Sequence, residues 1–357
     1  MRRLDRYVVS VFLSSYALAF FLLVGLFVVF DAIGKMDEYL ERLGEFGGLQ
    51  VVGLVAGYYA LSVPYFFLWV GPFVTLLAAV FTASRLHRNN ELVPVIAAGR
   101  SLQRSFGPVF LGGLLGAAAM VAAREGAMPR IEGARSALRH ALRHGRGERV
   151  LENVYARAEG GQKLFADRFY PESDLVEGLW AFLPEEDGLR FVRADRARFA
   201  PGEGTWLLEG GTAARFPGQG EPLDALGGVG IGPGDLLLFS FQGTEELLGL
   251  SFRQVDELAR REPARLQYQT LLHFFLTFPL ANLILPLLGL PFSLRLDRRS
   301  GAEGIVLAAV LCGAYFALDL VLRYLGNQGA LPPLVAAWSP VVLFGSLGIV
   351  LFDGMRS

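Results

Sequence analysis

The side chains of this chain that could perform chemistry are few, and their spacing matches no common catalytic or metal site. Its one cysteine, Cys312, lies in an apolar stretch, which excludes an intramolecular disulfide and a cysteine-based metal site. His140 and His144 are spaced i,i+4, but spacing alone is weak evidence for a metal, and a solvated helix face is the favoured interpretation. Neither Lys35 nor Lys163 lies in a Gly-x-x-x-x-Gly-Lys-Ser/Thr motif, so the chain is not itself a P-loop ATPase. Gly-x-Ser-x-Gly and His-Glu-x-x-His motifs are also missing from the sequence, and we expect neither an enzyme nor a cofactor bound by this chain.

Three pairs of charged residues stand out because they lie inside long apolar stretches or at their ends. They are Asp31 with Lys35, Asp319 with Arg323, and Arg124 with Arg130. Ionisable groups in such places are costly and usually face a partner, a cavity or a pathway. The first two pairs are spaced i,i+4 and could neutralise themselves, while Asp319 and Arg323 could alternatively line a gate and meet lipid headgroups. The two arginines suit bidentate binding of phosphate, and they could equally be ordinary anchors at the membrane interface.

The composition predicts a membrane protein. Hydrophobic residues make up 53% of the 357 residues, and the mean hydropathy is +0.41. The net charge of −1 gives no reason to expect a nucleic-acid partner. Apolar stretches long enough to cross a bilayer as helices cover residues 7–30, 49–83, 105–123, 267–294, 304–325 and 331–352.

A region of different character, residues 129–266, separates the third and fourth spans. It is charged and interrupted by Gly and Pro, and it begins and ends with helical patterns; Ser251 and Gln254 have the spacing of a capping box. Short strands are predicted at residues 150–158, 162–171, 175–184, 189–200, 205–216 and 235–241. Many short strands with Gly/Pro turns favour a sandwich, a jelly roll or a similar β-fold. The predicted domains are therefore 1–128, 129–266 and 267–357.

The distribution of arginines predicts the orientation of the chain. With the N-terminus inside, the cytoplasmic segments hold Arg2, Arg3, Arg6, Arg85, Arg88, Arg100, Arg104, Arg295, Arg298, Arg299 and Arg356. The short opposite loops hold only Lys35 and Arg42. This asymmetry places both termini in the cytoplasm and residues 129–266 outside.

A short polar segment, residues 84–101, joins the second and third spans. Glu91 is placed for the first turn of a helix, and an apolar face is formed by Leu92, Val95, Ile96 and Gly99. Such a segment could dock on a soluble motor and pass its movement to the membrane. It could also be an ordinary amphipathic helix at the interface, because periodicity does not name a partner.

Four stretches together carry a family resemblance. NELVPVIAAGRS (90–101) resembles the (S/N)-E-L-x-x-x-x-A-x-G-x-S stretch of the LptF/LptG (YjgP/YjgQ) permeases of lipopolysaccharide transport. Residues 4–8 resemble the N-terminus of that family, in a more LptG-like form. Residues 266–295 resemble its fourth span, and residues 331–344 resemble the start of its sixth.

The resemblance implies a six-span inner-membrane protein with an inserted periplasmic β-jellyroll. Family members form heterodimers of an LptF-like and an LptG-like chain above an LptB-like ATPase dimer, which holds the ATP and Mg. Lipopolysaccharide enters from the membrane lipids between the first span of one chain and the fifth of the other, and passes to LptC-like and LptA-like proteins. The helix between spans two and three docks on the ATPase, and its glutamate corresponds to Glu91.

Two positions depart from the family pattern. Pro94 removes a backbone donor near the start of the predicted helix, which could move Glu91 to a capping position. Asp31 stands where LptG chains often have a basic residue, so Lys35 is less suited to hold a lipid A phosphate. Two alternatives to lipopolysaccharide export remain open: a permease for another envelope glycolipid, and a non-transporting scaffold for envelope assembly.

Overall fold

A computed structural model describes residues 2–185, 188–215, 220–241, 247–295 and 301–355. The chain divides into two compact units. The membrane unit comprises Met1–Arg135 and Leu266–Ser357, and the β unit comprises Ser136–Arg265.

The chain is helical up to the turn before the first strand. Its elements there are α1 (Arg2–Gly34), α2 (Met36–Phe46), α3 (Gly48–Arg88), α4 (Leu92–Ala97), α5 (Leu102–Ser105), α6 (Gly107–Ala122), a π-helical turn (Ala123–Ala127) and α7 (Met128–His144). After the β unit follow α10 (Leu266–Thr277), a 3-10 turn (Phe278–Leu280), α11 (Ala281–Arg295), α12 (Gly301–Asn327) and α13 (Pro333–Asp353). Within the described residues, six helical segments are long and apolar enough to span a membrane, which confirms the six predicted spans. Spans 1 to 6 are, in order, α1, α3, α6 with α7, α10 with α11, α12 and α13.

Small residues let the spans approach one another closely. A Cβ atom on Gly112 of span 3 would overlap the Phe12 ring of span 1, and one on Gly289 of span 4 would overlap Leu76 of span 2. Side chains from spans 1, 2, 4 and 5 then fill a common core, whose fully buried members include Leu285. Close packing of this kind replaces the hydrophobic effect as the source of helix association inside a bilayer.

The β unit contains one antiparallel sheet, which confirms an inserted β domain. Its strands are β1 (Leu151–Arg157), β2 (Lys163–Tyr170), β3 (Leu175–Glu185), β4 (Gly188–Ala200), β5 (Thr205–Glu209), β6 (Thr212–Arg215), β7 (Glu221–Pro222) and β8 (Ala225–Leu226). Neighbours in sequence pair from β1 to β5, while β6 continues along β4 beyond the end of β5. Strands β1 to β5 therefore connect as hairpins, whereas β8 pairs with β5, from which β6 and β7 separate it in sequence.

One predicted strand is wrong. Residues 235–241 were expected to be extended, but the chain forms the helix α8 (Pro233–Ser240) there. Pro233 suits the first turn of a helix, and the Asp235 carboxylate accepts a hydrogen bond from the Gly232 N–H at 2.7 Å. A short apolar run such as this one is compatible with a strand or a buried helix, and the capping residues favour the helix.

The helix predicted at the end of this region is confirmed as α9 (Phe252–Arg261). Gln254 donates its backbone N–H to the Ser251 hydroxyl at 3.3 Å, and the Ser251 N–H donates to the Gln254 side chain at 2.9 Å. This reciprocal pair is the expected capping box.

Candidate coupling and lipid sites

The predicted helix over residues 84–101 is two helices with a turn between them. The long helix α3 ends at Arg88, and α4 begins only at Leu92. Asn90 between them has a φ of 57°, a left-handed conformation that stops the first helix. Pro94 is the third residue of α4, where its missing N–H would have had no intrahelical partner anyway. Glu91 therefore occupies the capping position of α4.

Glu91 is held by its own chain through one carboxylate oxygen. Its Oε1 atom accepts hydrogen bonds from the Tyr7 hydroxyl of span 1 at 3.0 Å and from the Asn89 amide at 3.2 Å. The other oxygen, Oε2, is shielded from solvent and has no hydrogen-bond partner among the described residues. A buried carboxylate oxygen without a donor is costly and calls for an explanation.

The apolar face of α4 differs from the predicted one. Leu92 is only 6% exposed and joins a buried cluster with Val8 and Phe12 of span 1. The apolar side chains that face outward are Val93, which is 55% exposed, and Ile96, which is 41% exposed. Of the other predicted members, Val95 is half-buried and Gly99 is exposed with a φ of 73°.

Asp31 and Lys35 form the predicted pair at the end of span 1. Lys35 donates to Asp31 at 2.7 Å and to the Tyr58 hydroxyl at 3.4 Å, and the Tyr59 hydroxyl donates to the same Asp31 oxygen at 2.8 Å. Burial lowers the pKa of Lys35, but its hydrogen bond to Asp31 and the nearby Tyr58 more than offset this, and the pKa is raised. Lys35 is therefore protonated at neutral pH, with its charge matched by Asp31.

An apolar groove adjoins this pair. It has a volume of about 510 Å³ and is lined by Leu23, Leu26, Phe27, Phe30 and Asp31 of span 1 and by Val70 and Phe73 of span 2. Apart from Asp31, its walls are hydrocarbon and aromatic. Such a surface suits an acyl chain, with a single polar group at the rim to position the attached head.

The arginines of spans 3 and 5 are turned onto neighbouring rings of span 4. The Arg124 guanidinium lies 3.6 Å from the centre of the Phe275 ring, and the Arg323 guanidinium lies 4.0 Å from that of Phe274. Arg323 also contacts Asp319 at 2.9 Å, so the predicted pair is formed. Cation–π contacts of this kind strengthen when water is excluded. Both arginines thus contact the faces of aromatic rings on a neighbouring helix.

Arg130 does not join Arg124. It is exposed on α7, whereas Arg124 is buried in the π-helical turn. The buried Arg135 was not among the predicted residues. It donates two hydrogen bonds of 3.0 and 2.9 Å to Glu132 and lies 4.6 Å from the centre of the Tyr65 ring. The i,i+3 spacing of Glu132 and Arg135 was the available signal.

Comparison with known proteins places this arrangement in a family. The family model described as the lipopolysaccharide export system permease LptF/LptG matches residues 6–353. No curated protein sequence matches the chain. The match includes every span and the inserted sheet, and the chain therefore belongs to the LptF/LptG family of lipopolysaccharide export permeases.

Proposed function

We propose that this chain is a permease subunit of an ABC exporter, driven by an LptB-like ATPase dimer that docks on Glu91 and α4. The ATPase holds the ATP and Mg, and the permease itself catalyses no reaction. One observation carries the proposal. The Glu91 Oε2 atom is buried without a donor among the described residues, beside the outward-facing Val93 and Ile96.

The chemistry of this surface defines its partner. Glu91 as a whole is only half-buried, so docking could turn its carboxylate towards a basic side chain of the partner, which would supply the donor that Oε2 lacks. Charge-assisted hydrogen bonds are the strongest available to a carboxylate. Val93 and Ile96 would enter an apolar groove, as short amphipathic helices commonly do. An amphipathic helix that only lies at the membrane interface would also explain the exposure of Val93 and Ile96. It would leave the Oε2 atom of Glu91 without a hydrogen-bond donor.

The lipid path follows from the apolar groove. An acyl chain of lipopolysaccharide enters the bundle from the surrounding membrane lipids beside Phe27, Phe30 and Phe73, and its head lies toward Asp31 and Lys35. A second, LptF-like chain completes the path, and the β unit passes the lipid to LptC-like and LptA-like proteins in the periplasm. The arginine asymmetry of the loops supports this direction, with both termini cytoplasmic.

Transport differs from the scaffold alternative in one measurable requirement, which is an ATPase on Glu91. The tagged chain is purified from its native membrane in mild detergent, and ATPase activity is assayed in the eluate. We expect a soluble ATPase and a second six-span chain to co-purify with the wild type. Glu91→Lys should reduce the bound ATPase by about tenfold or more, because it places like charges in contact.

Glu41→Lys is the matched control, since it makes the same charge reversal at an exposed glutamate of α2, the short helix after span 1. It should retain the ATPase. If the wild-type chain elutes without any ATPase, or if Glu91→Lys binds it as well as Glu41→Lys does, the docking proposal is wrong and the scaffold function is favoured.

A further inference from the structure

The loop between spans 2 and 3 forms hydrogen bonds and an ion pair with spans 1 and 6, which are distant from it in sequence. The Tyr7 hydroxyl of span 1 donates to Glu91 at 3.0 Å, and the Arg100 guanidinium forms an ion pair with Asp5 of the same span. At the far end of the chain, the Gln103 amide donates to the backbone carbonyls of Phe352 at 3.0 Å and Asp353 at 3.3 Å.

Apolar packing reinforces these hydrogen bonds. Leu92 lies in the buried cluster that contains Val8 and Phe12, and Leu102 and Phe352 pack against the same cluster. Phe352 also meets Phe110 of span 3 edge to face, with 5.1 Å between the ring centres. We call the three polar contacts, of Glu91, Arg100 and Gln103, the loop clamp.

Span 1 is suited to carry a movement away from the clamp. It is one helix from Arg2 to Gly34 without a proline, so Tyr7 and Phe30 are joined by about 35 Å of continuous α-helix. Phe30 lines the apolar groove. Span 2, which leads directly into the loop, contains Pro64 and Pro72, and each proline removes a backbone hydrogen bond and favours a kink.

We propose that the loop clamp makes α4 and the adjoining ends of spans 1 and 6 move as one body, so that span 1 delivers the movement of α4 to the lipid groove. Tyr7, Asp5 and Gln103 are positioning residues in this account, and they touch neither the lipid nor the ATPase. The inference rests on the proposed function, because it assumes that a motor moves α4.

The first test separates coupling from folding. The complete exporter is reconstituted in liposomes, and lipopolysaccharide release and ATP hydrolysis are measured together. Tyr7→Phe combined with Asp5→Asn should lower the lipid released per ATP hydrolysed by about threefold or more, as expected for a coupling change of roughly 0.7 kcal/mol, while hydrolysis continues. The matched control is Tyr170→Phe with Asp256→Asn, which removes a tyrosine–glutamate hydrogen bond and an aspartate–arginine pair elsewhere.

The second test asks whether the parts move together. In a Cys312→Ser background, Asp5→Cys and Arg100→Cys are joined by a short thiol-specific crosslinker. Without the crosslink this variant lacks the Asp5–Arg100 pair and should release less lipid per ATP than the wild type, whereas the crosslink should raise the ratio towards the wild-type value, since it rejoins parts of one body. The clamp is overturned if the crosslink stops release, or if Tyr7→Phe with Asp5→Asn keeps the wild-type ratio. A wild-type exporter that releases no lipid with ATP would instead overturn the proposed function.

Discussion

Asp31 changes what Lys35 can do. A lysine at the end of a span is well placed to attract an anionic lipid head, but here its ammonium group is 2.7 Å from a carboxylate. Both side chains are about three-quarters buried, so the pair is only partly screened by solvent. A lipid phosphate at this groove would have to compete with Asp31 for the same ammonium group, and this competition would lower the affinity for phosphorylated lipids.

Removing the Asp31 charge should therefore strengthen lipid binding. Asp31→Asn keeps an acceptor for the Tyr59 hydroxyl and releases the Lys35 charge. We expect lipopolysaccharide to bind the purified chain about two- to fivefold more tightly at low salt, in line with up to ~1 kcal/mol for a partly exposed pair. The measurement is a titration with fluorescent lipopolysaccharide in nanodiscs.

Two variants make this result specific. Asp37→Asn removes the same charge from an exposed aspartate two residues after Lys35 and should leave binding unchanged. Adding Lys35→Gln to Asp31→Asn should abolish the gain. Equal binding by Asp31→Asn and the wild type would show that the pair does not oppose the lipid head.

At this scale, local pairs could be predicted and distant ones could not. Asp31 with Lys35 and Asp319 with Arg323 lie one helical turn apart, so helix geometry alone brings them together. Tyr7 and Glu91 are 84 residues apart, and their contact depends on how spans 1 and 2 cross. For Arg124 the sequence leaves a lipid phosphate and an interface anchor both open, because the π-helical turn and the Phe275 ring are not visible in the pattern of residues.

The sheet of the β unit has a crease that interrupts several strands at one row. The paired residues on either side place Asn153, Asp167, Gly178 and Asp195 in one row across the sheet, and Gly210 directly follows the last pair of β4 with β5. Asn153, Gly178 and Gly210 have φ values of 53°, 64° and 67°. The inward and outward alternation of side chains reverses there, since Ala166 and Phe169 are both buried although three residues apart.

Gly178 should be the least replaceable residue of this crease. A Cβ atom there would overlap the Asp167 carboxylate, and the φ of 64° is unfavourable for most residues other than glycine, asparagine and aspartate. We expect Gly178→Ala to destabilise the β unit by roughly 2 kcal/mol or more, as strain and overlap add. Limited proteolysis of the full chain, followed with rising temperature, measures this change.

Gly204→Ala separates the two causes. Gly204 has the same φ of 64° but no atom near its would-be Cβ, so its substitution reports backbone strain alone. Gly178→Ala should destabilise more than Gly204→Ala does, and adding Asp167→Ala should recover part of the difference. If Gly178→Ala and Gly204→Ala are equally tolerated, the crease does not depend on the close approach of Asp167.

Helices and strands could be predicted where a single pattern of apolar residues extends over many positions. All six spans were found from length and hydropathy, and five of the predicted strand regions contain strands. The 205–216 region was expected to be a single strand, but it divides at the crease into β5 and β6 because Gly210 has a positive φ. The crease is a cross-strand feature, and single-strand patterns do not show it.

For the whole molecule, family membership and six spans establish a multi-pass permease of the inner membrane. The direction of transport depends further on which loops face the cytoplasm, since an ATPase can reach α4 only from that side. The arginine asymmetry predicts that α4 is cytoplasmic and that the β unit and the loop between spans 5 and 6 are periplasmic.

Single cysteines can test this orientation because the chain has only Cys312, which is buried. In a Cys312→Ser background, exposed alanines are replaced one at a time at Ala98 after α4, Ala225 in the β unit and Ala330 between spans 5 and 6. Cells with a permeabilised outer membrane receive a membrane-impermeant maleimide. We expect Ala225→Cys and Ala330→Cys to be labelled, and Ala98→Cys only after the inner membrane is opened. Labelling of Ala98→Cys in sealed cells would place α4 on the periplasmic side of the membrane. Glu91 could then not contact a cytoplasmic ATPase, and the proposed outward transport would lose its source of energy.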